Sequence, residues 1–517
     1  MKKFLAILMS LVVILGITSP TMGNAEEETT KFTVVFKDSS IPGNAKKTIK
    51  DLGGTIIYEV PEIGLVQVEA PVGFASNAIN NSSIVAANPS LQYELPDGKS
   101  IEMEMAEEQD ETNNNGNGKG KGKTTTSSET LLEDASLFDL YQWDIQRLTN
   151  DGATFAEHSG SHDVVVGIID SGIDLNHPDV QKNLLPGSKN FVPAGGIYGV
   201  DTSETGDIND VQDRNGHGTH VAGSIAGNGA MLGVAPDVGF QSYRVFGAEG
   251  GAYSAWIMSA IVAAANDGVD VINMSLGGIY SKGQVYYNNP VTGEKERLGS
   301  DIAEYVAYMR AAKYAESKGT LIVSSAGNDA IDAKSPKTVT ELANDNYGEL
   351  GYEFQGASVY APADIPNVVT VSATGPQDEL AVYSTYGNGY VDVAAPGGNY
   401  DLMLQYEAEG KSDEYMNNML YATEFAFSSV PVLNYITNED GLVVDYEYTR
   451  PSYSWYVGTS MASPKVAAIA ALLYDEHEGA SPSDIKVMLK QTAEDIGVEG
   501  HDEKFGHGLT TVYSAFE

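Results

Sequence analysis

The sequence predicts an α/β protein with a doubly wound, mostly parallel sheet, preceded by a small α+β unit. Two observations lead there. Short apolar runs rich in β-branched residues, such as Val164 to Ile169, Val269 to Met274, Leu321 to Ser325, Val368 to Ser372 and Val391 to Ala394, recur through the second two thirds of the chain. They alternate with segments of helical length and composition, Trp256 to Asn266 and Ala462 to Tyr474 among them. Runs that are apolar on both faces fit strands buried in a parallel sheet, and polar residues just beyond their carboxyl ends are the first places to look for function.

Lys2 and Lys3 precede an apolar run from Phe4 to Ile17, and small residues follow at Gly23 and Ala25. This is the pattern of a secretory signal cut after Ala25, and the run is short for a bilayer span. Residues 26–98 hold strand-like Phe32 to Phe36, a polar helix candidate from Ala45 to Leu52, and strands near Thr55 to Val60 and Leu65 to Ala70. Residues 99–136 are acidic and then low in complexity, with Asn, Gly, Lys, Thr and Ser from Asn113 to Ser128, which reads as a cleavable linker. The large domain then occupies 137–517.

The 517 residues carry 71 acidic and 30 basic side chains, a net charge of −41. Nucleic-acid binding is disfavoured by that sign; solubility or steering of basic peptides are the two readings it leaves. No cysteine is present, which removes disulfides, thiol catalysis and thiolate metal sites. Oxygen-bound calcium is compatible with the composition, but no ligands are assigned.

Three glycine-bearing segments hold the reactive side chains. Asp170 follows the run Val164 to Ile169 and opens Asp170-Ser-Gly-Ile-Asp174; alone it is more often a turn or capping residue than a catalytic one. Asn215-Gly-His-Gly-Thr-His-Val-Ala-Gly223 carries His217 and His220, a conceivable metal pair that lacks a third ligand, and it is not a phosphate loop, which would need a Lys. Gly458-Thr-Ser-Met-Ala-Ser-Pro464 puts Ser460 at the start of an alanine-rich helix, where it is either a cap or a nucleophile whose oxyanion the helix dipole favours.

Taken together, in the order Asp, His, Ser, these motifs resemble the subtilisin family closely. The resemblance implies a serine endopeptidase with Ser460 as nucleophile, His217 as general base and Asp170 as its orienting partner, needing no cofactor for catalysis. It implies an oxyanion donor in Asn328, within Ser324-Ser-Ala-Gly-Asn328, and a structural role for His220. The peptide cleft is expected along Gly250-Gly251-Ala252 and Ser275-Leu276-Gly277, with Ser325-Ala326-Gly327 as a second pocket wall. Asp329 beside it is either a solvated acid or a selector of basic or amide side chains.

By the same resemblance, residues 26–98 are an inhibitory prodomain, and the mature enzyme is a secreted monomer without a membrane anchor. Between Gly223 and Gly233 the chain is shorter than the loop that supplies the family's high-affinity calcium site, so that site is expected to be absent. Insertions after Gly278, after Asn328 and between Gly398 and Gly458, with Leu140 to Ile145, resemble the lantibiotic leader-processing branch. A broad scavenging protease and a non-catalytic peptide-binding module are the alternatives.

Overall fold

The computed structural model describes residues 29–71, 73–95, 100–102, 128–288 and 293–517. The expected signal and the low-complexity stretch lie outside these.

Seven strands form the central parallel sheet: β1 (Val165–Asp170), β2 (Lys189–Asn190), β3 (Gly239–Arg244), β4 (Val271–Met274), β5 (Leu321–Ser325), β6 (Val368–Thr374) and β7 (Val393–Pro396). Their order is β7-β6-β5-β4-β1-β3-β2, so chain direction across the sheet reverses around β1. Alternation along the strands feeds two cores. Val166, Ile168, Val271 and Val323 face helices α1 (His217–Ala226) and α4 (Thr459–Glu476). Ile169, Ile272 and Ile322 face α2 (Ser254–Asp267) and α3 (Ile302–Lys318). The doubly wound class is therefore borne out, with the reason visible: residues of both parities are apolar because both faces are covered.

The segment Ala462 to Tyr474, read as helical, lies inside α4, and the apolar stretch Val221 to Ala226 lies inside α1; a short buried helix segment and a buried strand look alike in hydrophobicity. Strand β3 has no counterpart among the runs, because Gln241, Ser242 and Arg244 interrupt its apolar pattern.

The N-terminal unit is a four-stranded antiparallel sheet made of Thr29–Phe36, Thr55–Val60, Leu65–Pro71 and Ile84–Pro89. Phe32, Val34, Val66 and Val68 pack on its own helices through Ile49 and Phe74. The opposite parity, Val35, Val60, Leu65 and Ala86, shares a core with α2 and α3 of the large domain. Arg310 of α3 closes the contact by donating to Phe36 O at 2.7 Å and Ile63 O at 2.9 Å. The large domain starts earlier than expected. Leu131 and Ala135, in the stretch read as linker, are buried in the main core beside Phe138, Leu131 within a helix over Ser128–Asp134 and Ala135 directly after it.

The insertions after Gly278 and after Asn328 together form a three-stranded sheet, Lys295–Gly299 and Gln284–Asn288 from the first and Tyr352–Gln355 from the second. The one before Gly458 forms a long hairpin, Ala426–Thr437 with Val443–Tyr456, packed against α1.

Candidate active site

Asp170 is the last residue of β1, fully buried, and its backbone carbonyl accepts from Val245 N at 2.8 Å. His217 is the first residue of α1. Its Nδ1 lies 2.8 and 3.0 Å from the two carboxylate oxygens of Asp170, which fixes Nδ1 as the protonated nitrogen and leaves Nε2 as the base. Burial pulls the imidazole's pKa down, but the charge and hydrogen bond of Asp170, with the charge of Asp213 behind, outweigh it and hold the ring above its ordinary value.

Ser460 is the second residue of α4 and is buried. Its Oγ donates to Ser275 O at 3.1 Å, and Ser275 Oγ donates back to Ser460 O at 2.7 Å. The carboxyl end of β4 is thus laced to the start of α4. Asn328 lies just past β5, and its Oδ1 accepts from Thr459 N at 2.9 Å and Thr459 Oγ1 at 2.8 Å. With the oxygen anchored, the amide Nδ2 is left as a donor beside Gly458: a Cβ there would sit 3.5 Å from it and 3.6 Å from Ser460 N. Two N–H donors and a helix N-terminus therefore surround one small space, an arrangement able to stabilise an oxyanion.

His220 does not form a metal pair with His217. Its Nε2 lies 3.2 Å from Ala426 O and its ring stacks on Tyr456 at 4.4 Å. Burial, then the positive charges of Lys465 and His217, drive its pKa well below the usual histidine value, so it is a neutral packing residue. Among the described residues no group of three or more His, Asp or Glu is gathered to hold a metal. The short loop after Gly223 folds onto Asp179, whose carboxylate accepts from Ala230 N, Met231 N and Tyr453 Oη at 3.1, 3.2 and 2.8 Å.

The expected cleft segments come together around this centre. Gly251–Tyr253 pairs antiparallel with Gln92–Glu94 of the N-terminal unit, and Leu95 N donates to Gly250 O at 2.9 Å. Ala252 and Leu276 are fully buried. Tyr93 is buried against Gly278, where a Cβ would meet its ring at 2.9 Å, and lies beside Tyr280 and Tyr308. Past Ser325 on the other wall, Ala326 O accepts from Tyr390 Oη at 2.6 Å and Gly327 N donates to Thr459 Oγ1 at 3.1 Å. Asp329 is exposed, with one oxygen held by Tyr360 Oη at 2.6 Å. Nothing in the sequence singles out Tyr93, Tyr360 or Thr459 as a group; they lie far apart along the chain and only the fold converges them.

The profile of the subtilase family matches residues 161–508. The chain belongs to the subtilase family. Its class follows, a serine endopeptidase. This subtilase is 28% identical to the epidermin leader peptide-processing serine protease EpiP of Staphylococcus epidermidis, over 99% of this chain and 98% of the relative. It is 31% identical to the nisin leader peptide-processing serine protease NisP of Lactococcus lactis, over 69% of this chain and 47% of that one. The crystal structure of EpiP from Staphylococcus aureus superposes with a TM-score of 0.69 at 30% identity, covering 94% of this subtilase and 98% of that chain. The structure of NisP gives 0.60 at 30%, covering 74% and 94%.

Proposed function

We propose that this subtilase is a secreted processor of lantibiotic-type leader peptides, synthesised with its own inhibitor. The observation that carries the reading is the extent of the likeness: the match to EpiP runs over 99% of the chain, N-terminal unit and insertions included, whereas the match to subtilisin E covers 69%. Ser460 Oγ attacks the scissile carbonyl while His217 Nε2 takes its proton; the C–N bond then breaks, the proton passes to the leaving amine, and water releases the acyl group from Ser460. Asp170 orients the ring and balances its charge. Asn328 Nδ2 and Ser460 N–H hold the oxyanion. Asn328→Leu is expected to lower kcat by about 10² to 10³ with little change in KM, a magnitude established on subtilisin itself and carried over to this relative.

The N-terminal unit is read as the inhibitor because Gln92–Glu94 occupies the edge strand Gly251–Tyr253 as a peptide substrate would. Export through residues 1–25, cleavage between the two units and a monomeric mature form without a membrane anchor belong to the same reading. Among the described residues no helix is long and apolar enough to cross a membrane. Asp329, exposed and steadied by Tyr360, is read as favouring a basic or amide side chain at the cleaved residue. A structural calcium remains without assigned ligands.

The docking of that unit should depend on pH. Glu304, near the start of α3, is fully buried beneath it; Asn88 Nδ2 and Leu91 N donate to its carboxylate, while Ala303 N donates to Asn88 Oδ1 at 2.9 Å. Burial, then the neighbouring Asp301, raises Glu304 to about 8, and burial raises Asp301 to about 7. A carboxyl raised on docking takes up a proton, so the association is strongest below its ordinary value near 4.5 and weakens as the pH climbs to about 8. Inhibition by the unit supplied in trans should fall across that window, and Glu304→Gln should flatten the dependence; an unchanged slope in that variant would refute the assignment.

The test of substrate class is mass spectrometry of digests. A precursor peptide carrying a lantibiotic leader should be cut once, at the leader–core junction, while an unfolded unrelated protein survives. Many cuts through the unrelated protein would favour a scavenger instead.

A further inference from the structure

Asp213 stands four residues before His217, is fully buried, and belongs to none of the three motifs that mark the reactive side chains. Its Oδ1 accepts from Ser171 Oγ, Asn215 N and Gly216 N, each at 2.9 Å, and its Oδ2 accepts from Thr219 N at 2.9 Å and Thr219 Oγ1 at 2.6 Å. A carboxylate whose two oxygens accept five hydrogen bonds is held rigidly.

These bonds join the two halves of the Asp170–His217 pair. On the helix side they complete the orphan donors of α1: Gly216 N and Thr219 N go to Asp213, His217 N goes to Asn215 Oδ1 at 3.3 Å, and Gly218 N goes to Ser171 Oγ at 2.8 Å. On the strand side, Ser171 N donates to Asp170 Oδ1 at 2.7 Å, Ile173 N donates to Val211 O at 2.9 Å and Asp213 N donates to Ile173 O at 3.0 Å. Ser171 Oγ is the link, accepting from the residue after His217 and donating to Asp213. No slack separates the two turns. A Cβ on Gly218 would lie 2.4 Å from Gly172 O, and one on Gly172 would lie 2.7 Å from Val211 O.

We propose that Asp213 is the positioning residue for the Asp170–His217 hydrogen bond, gathering the carboxylate's turn and the imidazole's helix onto one buried acceptor. This rests on the reading of Asp170, His217 and Ser460 as the triad. Asp213 also acts through its charge, which adds to that of Asp170 in holding the proton on His217. Around it stand Asp170 and Asp174 on the strand turn, Tyr448 of the hairpin bonded to Asp174, and two arginines. Those arginines are committed elsewhere, Arg214 to Asp210 and Arg244 to Glu204, so neither cancels Asp213.

The experiment compares wild type, Asp213→Asn and Ser171→Ala, each matured and freed of its N-terminal unit, by the rate of fluorophosphonate labelling across about pH 5 to 9, the range in which a histidine titrates. Asp213→Asn keeps the shape but removes the charge. Its labelling should slow about 10- to 100-fold, and its acid limb should move down by about one pH unit, the size of a unit charge acting over several ångströms in a protein interior. Ser171→Ala cuts the link and leaves the charge, so labelling should slow with the acid limb in place. Slower labelling of Asp213→Asn with an unmoved acid limb would mean simple structural damage and overturn the proposal, as would a wild-type rate in either variant. Should Asp213→Asn fail to fold, Ser171→Ala decides by its rate. Absence of labelling in the wild type would instead sink the triad.

Discussion

Ser460→Ala should abolish peptide hydrolysis to within a residual rate, a fall of about 10⁶ in kcat, the size measured for the nucleophile in subtilisin and carried over from it. The size follows from what the hydroxyl does. His217 Nε2, and Asp170 through it, act on the proton of the Ser460 hydroxyl, so removing that hydroxyl idles them together and single losses do not add. What survives is the cleft's grip and the oxyanion donors, enough for a small advantage over water. The backbone link from Ser275 Oγ to Ser460 O does not involve the deleted hydroxyl, so the fold should stand. Loss of fluorophosphonate labelling with an unchanged unfolding midpoint is the expected pair of results. In the full-length chain the variant should also leave the junction between the two units uncut. Measurable turnover by pure Ser460→Ala would require another nucleophile.

Lys465→Met should destabilise the large domain by about 3 to 5 kcal/mol, because it strands a buried carboxylate. Lys465 lies on α4, five residues after Ser460, and is fully buried, as is Asp144. Its Nζ sits 2.7 Å from Asp144 Oδ2 and donates to Pro396 O at 2.9 Å and Met461 O at 3.0 Å. One ammonium thus ties the helix that carries the nucleophile to β7 and to the segment that begins the large domain. Breaking the pair from either side leaves a charge or its partners without compensation, whereas removing both is far milder. Urea unfolding should be followed in the Ser460→Ala background so that self-digestion does not intervene. The double variant Asp144→Asn with Lys465→Met should recover much of the loss. A single variant as stable as its parent would show that the pair does not hold these elements together.

How much of this is legible before folding depends on the range of the interaction. The Gly-His-Gly and Gly-Thr-Ser contexts mark backbone that must bend or approach closely, and such demands are local. Gly216, with φ +105°, is one such position in the structure. Asp213 carries no such mark. A buried carboxylate with five donors and a solvated loop acid have the same letter, and Ser171, one of the donors, is 42 residues away. Lys465 is equally silent, since a lysine on an alanine-rich helix ordinarily points to water. Its partner Asp144 sits in a stretch that stands out only for its likeness to other leader-processing enzymes. The linker boundary fails for a related reason: Leu131 and Ala135 are too few to advertise a core contact until the rest of that core exists.

The sequence by itself determined the class of the sheet and set Asp170, His217 and Ser460 in glycine-bearing turns, because strand periodicity and such turns are short-range properties written in consecutive residues; the roles of these side chains and of Asn328 came from the resemblance of the motifs to the subtilisin family. Only the tertiary structure decided which carboxylates are buried and whom they meet. It set Asp213 between the two turns, Asp144 against Lys465, Glu304 under the N-terminal unit and Tyr360 behind Asp329. Desolvation and pairing depend on what packs from distant parts of the chain, and a charged residue's role is fixed by that environment rather than by its neighbours in sequence.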